Sequence, residues 1–157
     1  MPELLPGLIM ILGAALVPVL PHFLRQVWML TLIALSAYHC WLIEPGVHLT
    51  TSLMGFDLIL IRAEAITRPF ALVFHIAAAI NVIYAMHANE RMTAPTALAY
   101  AGAAIAALFA GDFITLFVYW ELTAFTSVFL ILAGRNPRSF AAAMRYLVTQ
   151  VTSGVIL

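Results

Sequence analysis

Glu121 is an acidic side chain in the middle of an apolar run, GDFITLFVYWELTAFTSVFL, which covers residues 111–130. It follows Asp112 by nine positions, which places it about 13.5 Å further along a helix axis. If Asp112 marks the outer edge of a membrane, Glu121 lies near the midplane, where a charge costs at least about 2.5–3.5 kcal/mol. The carboxyl must then be protonated or paired with a group on another helix. Glu121 therefore predicts proton transfer, and the alternative is a neutral acid that hydrogen-bonds to a neighbouring helix.

A row of polar side chains occurs in the last apolar segment of the chain. Arg145 is followed at helical spacing by three hydroxyl residues, Thr149, Thr152 and Ser153. One interpretation is that the row lines a hydrated path and that Arg145 pairs with Glu121 or tunes it. In the structural alternative, Arg145 extends to the membrane interface and the hydroxyls bond backbone carbonyls of their own helix.

Asp112 and His75 are the other candidate residues for handling protons. Asp112 stands at the start of the apolar run, where a carboxylate suits a helix N-cap better than a place along a proton path. His75 lies inside an apolar segment, residues 68–87, and an imidazole can relay protons near neutral pH. A single histidine in such a segment is more often a packed structural residue, so both roles stand for His75.

No pattern in the sequence predicts a metal site, a cofactor or an enzymatic reaction. Metal-ligand spacings, phosphate-binding glycine loops and nucleophile–base pairs are absent from the sequence. The single cysteine, Cys40, argues against a cysteine-ligated iron–sulfur cluster. The sequence therefore predicts a transporter component without cofactors or chemistry of its own.

The composition is that of an integral membrane protein. Hydrophobic residues make up 64% of the 157 residues and charged residues 9%, whereas roughly a quarter of the residues in a soluble domain are charged. Seven acidic residues balance seven basic ones, all of them arginine. The charge balance therefore indicates no nucleic-acid partner.

Six apolar segments are candidates for membrane-spanning helices, which need about 20 residues each. The predicted fold is an all-α integral membrane bundle of about six transmembrane helices in three parts. Residues 1–46 hold two helices, residues 47–67 an extramembrane extended or hairpin-like segment, and residues 68–157 the remaining four helices. Loose alternation of polarity predicts the extended segment. The six apolar segments cover about residues 4–21, 27–43, 68–87, 95–110, 112–133 and 138–157.

The fourth segment, PTALAYAGAAIAALFAG, consists largely of alanine and glycine. Small residues let neighbouring helices approach closely in lipid. This segment is therefore predicted to be a tightly packed helix.

The arginines predict how the chain is oriented in the membrane. With the N-terminus outside, two arginines, Arg62 and Arg68, fall on the outer side. Five fall on the inner side, as the positive-inside rule expects. The inner five are Arg25, Arg91, Arg135, Arg138 and Arg145.

Three stretches together carry a resemblance to a known family. They are LFAGDFITLFVYWELTAFTSVFLIL at 108–132, RPFALVFHIAAAINVIYAMH at 68–87 and AAAMRYLVTQVTSGVIL at 141–157. They are similar to the fourth-to-fifth-helix signature, the third helix and the sixth helix of the antiporter-like subunits. This family is shared by Mrp-type multisubunit cation/proton antiporters, respiratory complex I and membrane-bound hydrogenases. The resemblance extends from about residue 55 to the end, and it is strongest to the D-type member of the Mrp antiporters.

The resemblance implies a role for Glu121, which matches the helix-five glutamate of the family's ion-translocating pair. The partner of that glutamate in the family is a lysine on helix seven. This chain has no lysine and no predicted seventh span. We expect a naturally split subunit whose helix seven and lysine belong to another polypeptide. A truncated chain and a diverged structural fragment are the alternatives.

The expected function is that of a subunit in a multisubunit complex of the bacterial inner (cytoplasmic) membrane. It would translocate protons through Glu121, with Arg145 and His75 tuning or relaying, in exchange for Na⁺ or another cation. Its expected partners are other membrane subunits, protons, Na⁺ and lipid. One alternative is a proton-pumping subunit of a redox-driven complex of the complex I or hydrogenase type. Another is a structural scaffold that does not conduct protons.

Overall fold

The structure, a computed structural model, describes residues 4–53, 55–85, 93–134, 136 and 138–156. This part of the chain is mostly helical, with six α-helices and one two-stranded sheet. The helices are α1 (Leu8–Ala14), α2 (His22–Leu42), α3 (Thr67–Tyr84), α4 (Thr93–Leu108), α5 (Phe113–Ala133) and α6 (Ser139–Ile156). The strands are β1 (Gly46–Leu53) and β2 (Phe56–Ala63).

The first apolar segment does not form one long helix over residues 4–21, so that prediction is wrong. α1 has seven residues, and a separate 3₁₀ turn follows at Val17–Val19. Pro18 lies in this turn. Proline has no backbone N–H to donate, and its ring clashes with the preceding turn of an α-helix. The other five segments are helical as predicted, although α2 begins at His22 rather than near residue 27.

Two of the described helices, α3 with 18 residues and α5 with 21, are both long enough and apolar enough to cross a membrane. The first apolar segment and α4 are apolar but shorter. α2 and α6 are long enough but less apolar. The prediction of six transmembrane helices therefore goes further than the lengths and hydropathy of the described helices support.

The segment between α2 and α3 is a β-hairpin, which confirms the extended or hairpin-like conformation predicted there. β1 and β2 pair antiparallel, from Gly46 opposite Ala63 to Leu53 opposite Phe56. The register shifts on both sides of Leu49. β2 is partly buried, whereas most of β1 is exposed. The buried residues of β2 are Leu58, Ile61 and Ala63.

α4 lies at the centre of the helical packing and contacts α1, α3 and α5. Its side chains Leu98 and Ile105 are fully buried. Gly102 on α4 meets Gly7 just before α1, where a Cβ at Gly102 would lie 2.8 Å from the Gly7 carbonyl oxygen. The alanine- and glycine-rich segment is thus a tightly packed helix, as predicted.

A valine at Gly102 should separate α1 from α4, because its Cβ would meet the backbone carbonyl oxygen of Gly7 as well as the side chains of Met10 and Ile11. We expect Gly102→Val to lower the free energy of unfolding by about 1–3 kcal/mol. Thermal unfolding of the full chain in detergent measures the effect. Ala104→Val is the control, since Ala104 lines an open groove between α3 and α4. Equal melting temperatures for the two variants would contradict the close contact.

Candidate functional site

Glu121 lies in the middle of α5, on the side that packs against α6. The two helices run antiparallel, since Ser127 hydrogen-bonds to Tyr146 over 2.9 Å while Glu121, earlier in α5, meets Gly154, later in α6. The Glu121 side chain is half-buried. The seam between α5 and α6 is therefore the immediate environment of the carboxyl.

The Glu121 carboxyl occupies the space that a side chain at residue 154 would fill. A Cβ at Gly154 would overlap Glu121 Oε1 and would lie 3.2 Å from Cε2 of Phe117. Oε1 is buried, and no group in the described part of the chain hydrogen-bonds to it. Buried polar atoms in native proteins nearly always have a partner. An orphaned carboxyl oxygen in this seam is therefore a place where a proton, a donor or a cation can bind.

The structure does not bring Arg145 to Glu121. Arg145 precedes Gly154 by nine residues, which corresponds to about 13.5 Å along the helix axis and half a turn around it. Arg145 is exposed and forms no ion pair within the described residues. The one ion pair among those residues joins Arg62 to Glu64 over 2.8 Å.

The hydroxyl residues of the polar row are also directed away from α5. Thr149, Thr152 and Ser153 are exposed, as Arg145 is, whereas Ala143 is buried. The Thr149 hydroxyl donates to the Arg145 carbonyl over 2.9 Å. Thr149 thus bonds a backbone carbonyl of its own helix, as expected if the polar row is structural rather than the lining of a hydrated path. The row as a whole is an unburied polar face of α6, on the side opposite Gly154.

His75, on α3, is buried against α2, and both of its ring nitrogens lie within hydrogen-bonding distance of a partner. Nδ1 lies 2.6 Å from the Ala71 carbonyl oxygen, and Nε2 lies 2.9 Å from the Ser36 hydroxyl. Since a carbonyl oxygen only accepts, Nδ1 carries the hydrogen, and in the neutral ring Nε2 then accepts from the Ser36 hydroxyl. These contacts join α3 to α2 and do not reach Glu121. The packed structural role is the one that the geometry of His75 favours.

Asp112 is the N-cap of α5 and ties that helix to the hairpin. Its carboxylate accepts from the Thr115 backbone N–H over 2.9 Å, from the Thr115 hydroxyl over 2.7 Å and from the Ile59 N–H of β2 over 2.7 Å. Backbone bonds from Arg62 N to Phe109 O and from Gly111 N to Ile59 O reinforce the junction. Asp112 is therefore a capping residue, as the N-cap interpretation predicts, and these contacts account for its position without a proton path.

The hydrogen bonds of Asp112 also determine its charge. Partial burial favours the protonated form and raises the pKa of the carboxyl, but hydrogen bonds from Thr115, Ile59 and Ile114 favour the carboxylate. Together they outweigh burial and lower the pKa from its ordinary value of 3.8. Asp112 is consequently ionised at neutral pH at the entry to α5.

Sequence reasoning missed two residues that define the surroundings of these side chains, Gly154 and Ser36. Gly154 lies on the face of α6 opposite Arg145, and the lack of a side chain on that face was the signal available for it. Ser36 is a polar residue within an apolar helix, but nothing in its spacing indicates His75 as its partner. Within the described residues, no group of three or more His, Cys, Asp or Glu side chains could hold a metal ion.

Comparisons with protein-family models, with characterised proteins and with solved structures give no match to this chain. The geometry of the α5–α6 seam and the sequence are therefore the features that bear on function.

Replacing Asp112 by asparagine should weaken the junction between α5 and β2. An amide has one acceptor oxygen for three donors, so we expect a loss of about 1–2 kcal/mol of stability at neutral pH. The pKa of Asp112 is lowered in the folded state, so its contribution is present above about pH 3.8 and is lost as the pH falls through the folded-state pKa. The difference between native protein and Asp112→Asn should shrink in acid. Thermal unfolding measured from about pH 3 to about pH 7 follows this change.

Asp57→Asn is the matched control for this experiment, because Asp57 is an exposed residue of β2. It should leave the melting temperature unchanged. A control variant as unstable as Asp112→Asn would show that the carboxylate of Asp112 has no special role.

Ser36→Ala should destabilise the contact between α2 and α3. It leaves the buried Nε2 of His75 without its donor, which costs about 1–3 kcal/mol. Ser52→Ala, on an exposed part of β1, is the control and should have little effect. Unfolding of the full chain in detergent measures both variants. A Ser36→Ala variant as stable as the control would show that the Ser36–His75 hydrogen bond does not stabilise the contact between α2 and α3.

Proposed function

We propose that this chain is a subunit of a multisubunit membrane complex that translocates protons, in exchange for a cation such as Na⁺. In this proposal the Glu121 carboxyl is the group that binds and releases the proton. The observation that carries it is the buried Oε1 of Glu121, which has no hydrogen-bond partner among the described residues. A carboxyl used only to hold two helices together would be expected to hydrogen-bond across the seam. The resemblance to the antiporter-like subunits supports the same role for Glu121.

The apolar exterior of the helices supports a position within a membrane. Large apolar side chains on α3 and α5 are exposed, and wide exposed apolar surfaces mark membrane or protein contacts. The chain exposes 9736 Å² in all, whereas a compact monomeric protein of this size exposes about 7,800 Å². Examples of the exposed side chains are Phe70, Val73 and Ile80 on α3 and Val118, Trp120 and Phe125 on α5.

The proposed topology is that of a multi-pass protein of a bacterial inner membrane with its N-terminus outside. The lengths and hydropathy of α3 and α5 are sufficient for each to cross the membrane. The proposal of six spans adds the less apolar and the shorter helices, which would be covered by partner subunits rather than by lipid.

The proposed mechanism is electrostatic. While the seam holds no cation, the low dielectric around Oε1 favours the protonated carboxyl. A cation that approaches from a partner subunit favours the ionised form and releases the proton, and its departure favours reloading. One elementary charge that crosses about 100 mV is worth about 2.3 kcal/mol. The membrane potential is therefore sufficient to drive a cycle of this kind.

The polar face of α6 supports the presence of partner subunits. Arg145 is exposed seven residues into α6, and an arginine inside a membrane faces protein or water rather than lipid. We propose that another subunit covers this face, and that a subunit also supplies the basic group that approaches Glu121. In the antiporter-like family the basic group is the lysine of helix seven.

A second candidate function is that of a scaffold subunit that does not conduct protons. The observation in its favour is that Glu121 forms no ion pair with any described arginine or histidine. On this view the exposed faces of α3, α5 and α6 hold neighbouring subunits together, and Glu121 takes no part in transport.

Replacing Glu121 by glutamine tests the proposal, since glutamine keeps the size and hydrogen-bonding capacity of the side chain and removes its titration. In membrane vesicles that carry the assembled complex, we expect cation exchange driven by a pH gradient to fall by on the order of 100-fold. Glu64→Gln is the control, because Glu64 is an exposed carboxylate in the connection before α3. Unchanged exchange in Glu121→Gln, at equal assembly, would favour the scaffold.

A further inference from the structure

Gly154 is where α6 comes closest to the Glu121 carboxyl. The three atoms nearest to a Cβ at this position would be Oε1 and Cδ of Glu121 and Cε2 of Phe117. All of them are side-chain atoms of α5. A larger residue at 154 would therefore compete with the carboxyl for space.

We infer that Gly154 is the positioning residue of the Glu121 carboxyl, because the missing Cβ forms a slot in α6 that holds Oε1 in the seam. The inference rests on the proposed function for its link to transport. The contact itself does not depend on that function. Glycine has this role here because of its size, and no unusual backbone conformation is needed, since Gly154 is helical.

The slot explains how the carboxyl is buried at a place where α5 is otherwise widely exposed. Phe117 and Trp120, which precede Glu121 in α5, remain 39% and 52% exposed. The carboxyl oxygen is nevertheless buried, because the backbone of α6 covers it at Gly154. If the slot is filled, the carboxyl must rotate out of the seam towards the exterior of the helix pair.

The rest of the α5–α6 contact should tolerate an alanine at this position. Ser127 and Tyr146 hold the helices together about two turns away, and a glutamate side chain moves at little energetic cost. The situation at Gly102 is different, because there the Cβ would meet the carbonyl oxygen of Gly7. Alanine at 154 should therefore move the carboxyl and leave the fold intact.

Infrared difference spectroscopy of the full chain in lipid vesicles, with the subunits that co-purify, tests the slot directly. Bands that disappear in Glu121→Gln belong to the Glu121 carboxyl. We expect these bands to change frequency in Gly154→Ala and to remain in place in Val155→Ala. Val155 is adjacent and 72% exposed, so the control alters a side chain of α6 that does not reach the seam. Unchanged bands in Gly154→Ala would overturn the inference.

Transport in the same vesicles separates this inference from the proposed function. If both are correct, Gly154→Ala lowers pH-gradient-driven cation exchange by on the order of tenfold or more, since a misplacement of about 1 Å can cost 100-fold. If Glu121→Gln transports normally while the Gly154→Ala bands still move, the proposed function fails and the positioning role stands. If the bands stay in place while Glu121→Gln abolishes exchange, the proposed function stands and the positioning role is overturned.

A double variant keeps the inference testable if Gly154→Ala fails to assemble. Aspartate is one methylene shorter than glutamate, so Glu121→Asp should vacate the space that the alanine needs. We expect the Glu121→Asp, Gly154→Ala pair to assemble as well as Glu121→Asp alone. If the double variant fails to assemble, the steric conflict caused by the alanine lies elsewhere in the seam, and the slot is refuted.

Discussion

Close contact at positions without a Cβ determines how the helices of this chain pack. Gly102 allows α4 to meet the backbone just before α1, Gly111 allows the start of α5 to meet β2, and Gly154 allows α6 to cover Glu121. In each case the neighbouring atoms lie where a larger side chain would have its Cβ. The approach of α5 to β2, the contact of α4 with α1 and the buried carboxyl all depend on these positions. Close approach at small residues is also the general means by which helices associate in lipid, where packing replaces the hydrophobic effect.

The buried polar groups of the helices differ in how well they are satisfied. His75 has both ring nitrogens engaged between α2 and α3, and the Asp112 carboxylate accepts three hydrogen bonds at the junction of α5 with β2. Both therefore stabilise the arrangement of the elements. The Glu121 Oε1 is buried without a described partner, which is costly and contributes nothing to that arrangement. This contrast is the physical reason for proposing a proton-binding role for Glu121 and structural roles for the other two.

Local sequence patterns predicted the features that depend on residues close together in the chain. Apolar runs identified five of the six helices, loose alternation identified the hairpin, and the position of Asp112 before an apolar run identified the N-cap of α5. The first apolar segment was interpreted too simply, because hydropathy alone gave no weight to the interruption at Pro18. The prediction of six membrane spans likewise goes further than the lengths and hydropathy of the described helices support, because α2 and α6 are long but less apolar than α3 and α5.

The sequence by itself determined that a carboxyl lies in the middle of an apolar helix, and that this helix is capped by Asp112. Both follow from the order of residues along one element. Only the tertiary structure decided what meets the carboxyl. A row of polar residues on α6 suggested Arg145 as its neighbour, yet Gly154, on the other side of that helix, is the residue in contact. The reason is that the rotation and register of two packed helices depend on the side chains of the whole interface, which periodicity within either helix does not encode.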